Sequence, residues 1–134
     1  MTDELFAQIW IAARHNVFFW ITHALGALCV LGAVLAGYRS LRSYKKAAMV
    51  LCFLLAIMTV AGIAEKWRIR ESAAQTARQK QAVADRDGAN LAFSPFIGLV
   101  VGSSYYLGSL FVFTLAGRLG HTVRERKSRR NSDP

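Results

Sequence analysis

Proline occurs twice in the 134 residues, cysteine twice and histidine three times, and 8 acidic side chains face 17 basic ones. Each shortage excludes something. Before Pro95 no proline interrupts the chain, so long helices are unopposed. Cys29 and Cys52 are too few for a disulfide framework or a zinc site, and both lie inside apolar runs, where a thiol behaves as a small apolar residue. They fall at similar depth, so opposed thiols could hold a soft metal, but two ligands are too few without help. Packing is the reading for both, and the redox compartment is not legible from them. No catalytic, nucleotide-binding or metal-binding signature is present, which argues against an enzyme and against a cofactor.

The most telling absence is of charge. Asp, Glu, Lys, Arg and His are missing from residues 47–64 and 96–117, and residues 17–37 hold one, His23. About 20 apolar residues of helix cross the hydrocarbon core of a bilayer. A positive mean hydropathy (+0.28) despite 19% charged residues shows that polar groups are gathered into blocks. The expected fold is an all-α membrane protein with three transmembrane helices in one domain over residues 1–120. A soluble bundle does not suit this segregation. A signal peptide after Val34-Leu35-Ala36 is disfavoured, because the chain leads with Asp3 and Glu4 and then offers a full spanning length.

Basic residues set the orientation. Arg39, Arg42, Lys45 and Lys46 fill the connection between the first two spans, and Arg118, Arg124, Arg126, Lys127, Arg129 and Arg130 fill the C-terminal end. With the N-terminus outside, these ten of the 17 basic residues lie in the cytoplasm. Arg14, Lys66, Arg68, Arg70, Arg78, Lys80 and Arg86 remain outside, diluted by Glu65, Glu71, Asp85 and Asp87. The expectation is N-out, C-in, in a bacterial-type inner membrane. Arg39, Arg42, Lys45, Lys46, Arg124, Arg126, Lys127, Arg129 and Arg130 would contact anionic lipid, at roughly 1 kcal/mol per nearby basic residue. Nucleic acid is not expected as a partner, since no aromatic interleaving accompanies the charge.

Residues 2–13 read as an amphipathic helix with Leu5, Phe6, Ile9, Trp10 and Ala13 on one face, extending the first span past Arg14, His15 and Asn16. The connection 38–46 forces an antiparallel hairpin, with Tyr38, Tyr44 and Trp67 as interfacial anchors. Residues 65–87 lack Gly and Pro and favour helix, so the second helix is expected to extend beyond the membrane until Gly88. The rest of the outer segment, to residue 93, leads to Ser94 as a cap and Pro95 at the first helical position. Residues 121–134 read as a disordered basic cytoplasmic tail. The stretch from Asp85 to Gly88 lacks the later ligands of a calcium loop.

Polar groups inside hydrocarbon are costly and informative. At ~1.5 Å rise per residue, His23 lies ~9 Å below the outer end of its span, Thr59 ~8 Å, and Ser103 and Ser104 ~10 Å, with Tyr105 beside them. They form a candidate intramembrane polar layer, in which His23 could bond Thr59 or Ser103 as inter-helix glue, or serve a proton or quinone site. A haem held by His15 and His23 of one chain is excluded, since they lie ~12 Å apart along one helix. Small residues mark close helix packing: Gly98-xxx-Gly102 and Ser104-xxx-Gly108 on the third span, Gly32-xxx-Ala36 on the first.

The layout supports an accessory, assembly or anchoring subunit of a larger membrane complex, with a membrane-protein partner or a homo-oligomer. The N-out, three-span, basic-tail plan resembles that of phage class I holins, in topology and in no motif, which implies an oligomeric pore. The outer connection 65–93 is long for one. A redox, proton or small-solute transport subunit using the His23 layer is the remaining alternative. Site-specific tags placed at the two ends are expected to label from opposite faces of sealed vesicles; labelling from the same face would refute an odd number of crossings.

Overall fold

The structure, a computed structural model, describes Glu4, Ala7, Gln8 and residues 16–131. The amphipathic face expected at Leu5, Phe6, Ile9, Trp10 and Ala13, together with Arg14 and His15, lies outside the described residues. A cap, not a continuing helix, opens the first span. Asn16 is extended (φ −78°, ψ 174°) and its side-chain oxygen accepts from Phe19 N at 3.1 Å, so α1 runs Val17–Tyr38. The same side chain donates to Gly62 O at 3.1 Å and clips α1 to the second helix. The expected extension through Asn16 is thereby corrected: a side chain able to bond the backbone competes with helix at this position.

At the other end of α1, Leu41 N reaches Ala36 O (2.9 Å) and Ser40 N reaches Gly37 O (3.0 Å), closing the helix through a left-handed Ser40 (φ 57°). Only residues 39–43 separate α1 from α2 (Tyr44–Ala73). α3 (Ala77–Ala92) and α4 (Ser94–Arg130) follow. Gly26 faces Tyr105 and Gly37 faces Phe113, so α1 and α4 run parallel, with α2 antiparallel to both. Each of these three packs on the other two, and α3 lies chiefly against α2.

α1, α2 and α4, of 22, 30 and 37 residues, are long and apolar enough to cross a membrane. Within their apolar windows only 17%, 22% and 17% of the residues are buried. Trp20, Leu31, Leu35, Phe53, Leu99, Leu107 and Phe111 all point outward at more than 60% exposure. A protein that presents its largest apolar side chains outward is built for a hydrocarbon solvent. The chain is a small, all-helical, multi-spanning membrane protein.

The interior is made of small side chains. Ala33, Ala36, Ala48 and Tyr44 form its centre, with Tyr106, Val112 and Phe113 packed around them. Tyr44, expected at the interface, is 7% exposed, because the tight turn places it inside the bundle. Its ring stacks on Phe113 at 5.3 Å and its hydroxyl donates to Cys29 O. A Cβ on Gly98 would sit 2.8 Å from Ala56 O, and one on Gly102 2.9 Å from Cys52 O. Both glycines therefore serve the α2–α4 contact inside one chain. A Cβ on Gly108 would meet nothing within 4 Å. Gly32 meets the Tyr44 ring and Ala36 is buried, so this pair also packs internally.

Four other expectations change. α2 does not project as one rod: it ends at Ala73, the chain turns, and α3 begins under a capping box in which Thr76 and Gln79 bond each other's backbone. Gly88 does not end a helix; it lies within α3, where the Trp67 ring packs 3.7 Å from its would-be Cβ. Phe93, not Ser94, is the cap residue of α4, although Pro95 stands in its first turn as expected. α4 continues through the basic segment to Arg130, with its i→i−4 backbone bonds intact where disorder was expected. Arg118, Arg124, Arg126, Lys127 and their neighbours are compatible with helix once a long apolar helix has nucleated it.

Replacing Gly98 by Leu is expected to lower bundle stability by about 1–3 kcal/mol through overpacking, whereas Leu at Gly108 should change it little. Thermal unfolding of both variants in one detergent measures the difference, and equal loss in both would contradict the packing described.

Candidate functional site

Of the five expected members of the polar layer, His23, Thr59 and Ser104 bond their own helix. His23 Nδ1 lies 2.7 Å from Phe19 O, which makes Nδ1 the protonated nitrogen, and its ring sits 4.1 Å from the Phe19 ring. Thr59 donates to Leu55 O (2.8 Å) and Ser104 to Val100 O (2.8 Å). A hydroxyl can satisfy itself on the carbonyl four residues back, so equal depth does not oblige it to bond another helix. His23 and Thr59 do meet, in a small cleft of about 130 Å³ between α1 and α2 shared with Asn16, Thr22 and Lys66. Ser103 and Ser104 are exposed outside that cleft, and Tyr105 lies across Gly26. The structure thus joins two of the five residues and separates the other three.

The basic residues gather at the opposite end. Gly120 packs on Tyr38, and Arg124 donates to Tyr38 O at 2.7 Å, covering a carbonyl that the end of α1 leaves without a helical partner. This brings the α1–α2 turn, carrying Arg39, Arg42, Lys45 and Lys46, beside the base of the helix segment carrying Arg126, Lys127, Arg129 and Arg130. All of these are exposed.

A site that sequence reasoning missed stands beyond the C-terminal end of the apolar run of α2. Arg70 on α2 and Asp87 on α3 are each 7% exposed, and Arg70 Nη1 donates to both carboxylate oxygens, at 2.8 and 2.7 Å. A charge this far from water is tolerable only when paired with good geometry. The pair borders a cavity of about 260 Å³ with Ile63, Lys66, Asn90 and Ile97. Val83, one turn before Asp87, is 1% exposed, and Trp67 donates to Glu71 at 2.8 Å while its ring covers Gly88. Nearby, the hydrogen bonds from Arg68 hold the Glu65 carboxyl below the ordinary carboxylate range. α3 is therefore a braced helix with an outer face that includes Arg78, Lys80, Gln81, Ala84 and Asp85, all exposed. Two signals in the sequence pointed here: Thr76 three residues before Gln79 as a capping box, and Val83 four residues before Asp87 on one face.

No protein-family model, no curated protein and no solved structure matches this chain. Asp87→Leu should strand the Arg70 guanidinium and cost about 3–5 kcal/mol, whereas the double change Arg70→Met with Asp87→Leu should recover most of it. Hydrogen exchange of α3 amides reads both; equal protection in the single and double variants would show that the pair does not hold α3.

Proposed function

We propose that the chain is an accessory or anchoring subunit of a larger complex in a bacterial-type inner membrane, oriented N-out and C-in. The observation that carries this reading is the Arg70–Asp87 pair, which turns the connection outside the spans into a rigid two-helix projection. A linker that only joins two spans has no need of a buried ion pair, while a docking surface gains from being preorganised. The packed interior supports the same reading: Cys29, Ala33, Ala48 and Leu55 are at most 4% exposed, so one copy encloses no pathway between its helices. Basic residues at the inner turn and along the end of α4 would hold that side against anionic lipid.

A second reading is self-association into a holin-like oligomer. It draws on Ser104 and Gly108, which leave room on the lipid face of α4 for another helix.

The tagged chain, expressed in its source cell and extracted in mild detergent, is expected to co-purify with a larger membrane protein. Arg78→Glu, Lys80→Glu and Ala84→Glu together should release that partner while leaving helical content unchanged. Full retention by the triple variant would contradict docking through α3. Homo-oligomers that Gly108→Leu dissolves, with no other protein bound, would favour the second reading.

A further inference from the structure

Near the bundle centre two polar contacts cross from α2 to α1: the Tyr44 hydroxyl donates to Cys29 O, and beside it two thiols meet. Cys29 Sγ and Cys52 Sγ lie 3.9 Å apart, at 0% and 4% exposure, and both are free thiols. A disulfide needs its sulfurs at about 2.05 Å, so closure asks the two sulfurs to approach each other further across the seam. We infer that Cys29 and Cys52 form an intramembrane dithiol that reduces a lipid-soluble quinone and closes to a disulfide joining α1 to α2.

The surroundings select that class of oxidant. Thiol–disulfide exchange with a water-soluble partner proceeds through a thiolate, and an ionised sulfur between two helices in hydrocarbon is costly. A quinone arrives through the lipid and so reaches sulfurs that a water-soluble oxidant does not. Two thiol S–H bonds break, one S–S bond forms, and the two electrons and two protons pass to the two quinone oxygens. Neutral dithiol and quinone become neutral disulfide and quinol, so the low dielectric opposes neither side.

Access comes from the lipid side. Cys52 borders a groove of about 450 Å³ between α2 and α4, walled by Phe53, Ala56, Leu99 and Gly102 and carrying the hydroxyls of Ser103 and Tyr106. Apolar walls with a few polar groups are what a ring with two carbonyls requires. Cys29 lies behind Cys52, away from the groove: the sulfur that meets the oxidant is backed by the sulfur that resolves it.

The test uses the full chain in phosphatidylcholine liposomes, without oxygen, with a decyl-chain ubiquinone analogue as the probe. Expected are loss of both thiols together in a denaturing maleimide assay, loss of two hydrogens from the intact monomer mass, quinol in equal amount, and recovery of both thiols when the denatured chain is treated with a dithiol reductant. Cys29→Ser and Cys52→Ser should each lose the reaction, as should Leu99→Trp, which fills the groove while leaving both thiols in place. The inference is overturned if wild-type chain keeps both thiols, if they are lost as quinone adducts or as cross-linked dimers, or if only a water-soluble oxidant closes the pair.

Discussion

Lipid does not squeeze helices together as water does, because a Leu side chain is as comfortable against an acyl tail as against another Leu. Close backbone approach must do that work, and the rest of this molecule depends on it. Gly98 and Gly102 lie on Ala56 O and Cys52 O, Gly37 lies on Phe113, and Gly120 lies on Tyr38. The inside of the bundle is consequently made largely of alanine, glycine and cysteine, together with Leu55 and one stacked Tyr44–Phe113 pair, and most bulky residues lie outside. The same closeness brings two thiols within 3.9 Å across the α1–α2 seam.

Polar bonds then secure the ends, where dispersion has least to act on. Asn16 ties the start of α1 to Gly62, and Arg124 ties its end to α4. Arg70 and Asp87 fasten α3 to α2. These three attachments differ in kind. The first joins a cap side chain to a carbonyl within α2, and the second satisfies a carbonyl that a helix end leaves open. The third buries two charges and orders a segment that could have remained a loop, which is why it carries the functional reading.

Much of the fold was legible in particular residues. The uncharged stretches 47–64 and 96–117 and the near-uncharged 17–37 mark the three spans, and Pro95 marks the start of the last. The polar layer was harder to read. Depth along a helix put His23 and Thr59 at one level, and both line one cleft, yet depth said nothing about rotation, and rotation puts Ser103 and Ser104 elsewhere. Residues 65–92 misled for a related reason: high helix propensity across Ala73–Ala77 hid a turn whose signal was the pairing of Thr76 with Gln79.

By itself, the sequence determined that this chain lives in lipid and crosses it three times as helix. Transfer from water to hydrocarbon is a sum over the residues of one segment, so it needs no knowledge of any other segment. Only the tertiary structure decided that Gly98 and Gly102 face inward while Gly108 faces out. It alone decided that α3 folds back onto Arg70 and that Cys29 meets Cys52. Those outcomes depend on the rotation and register of helices distant in the chain, and contact geometry sets both.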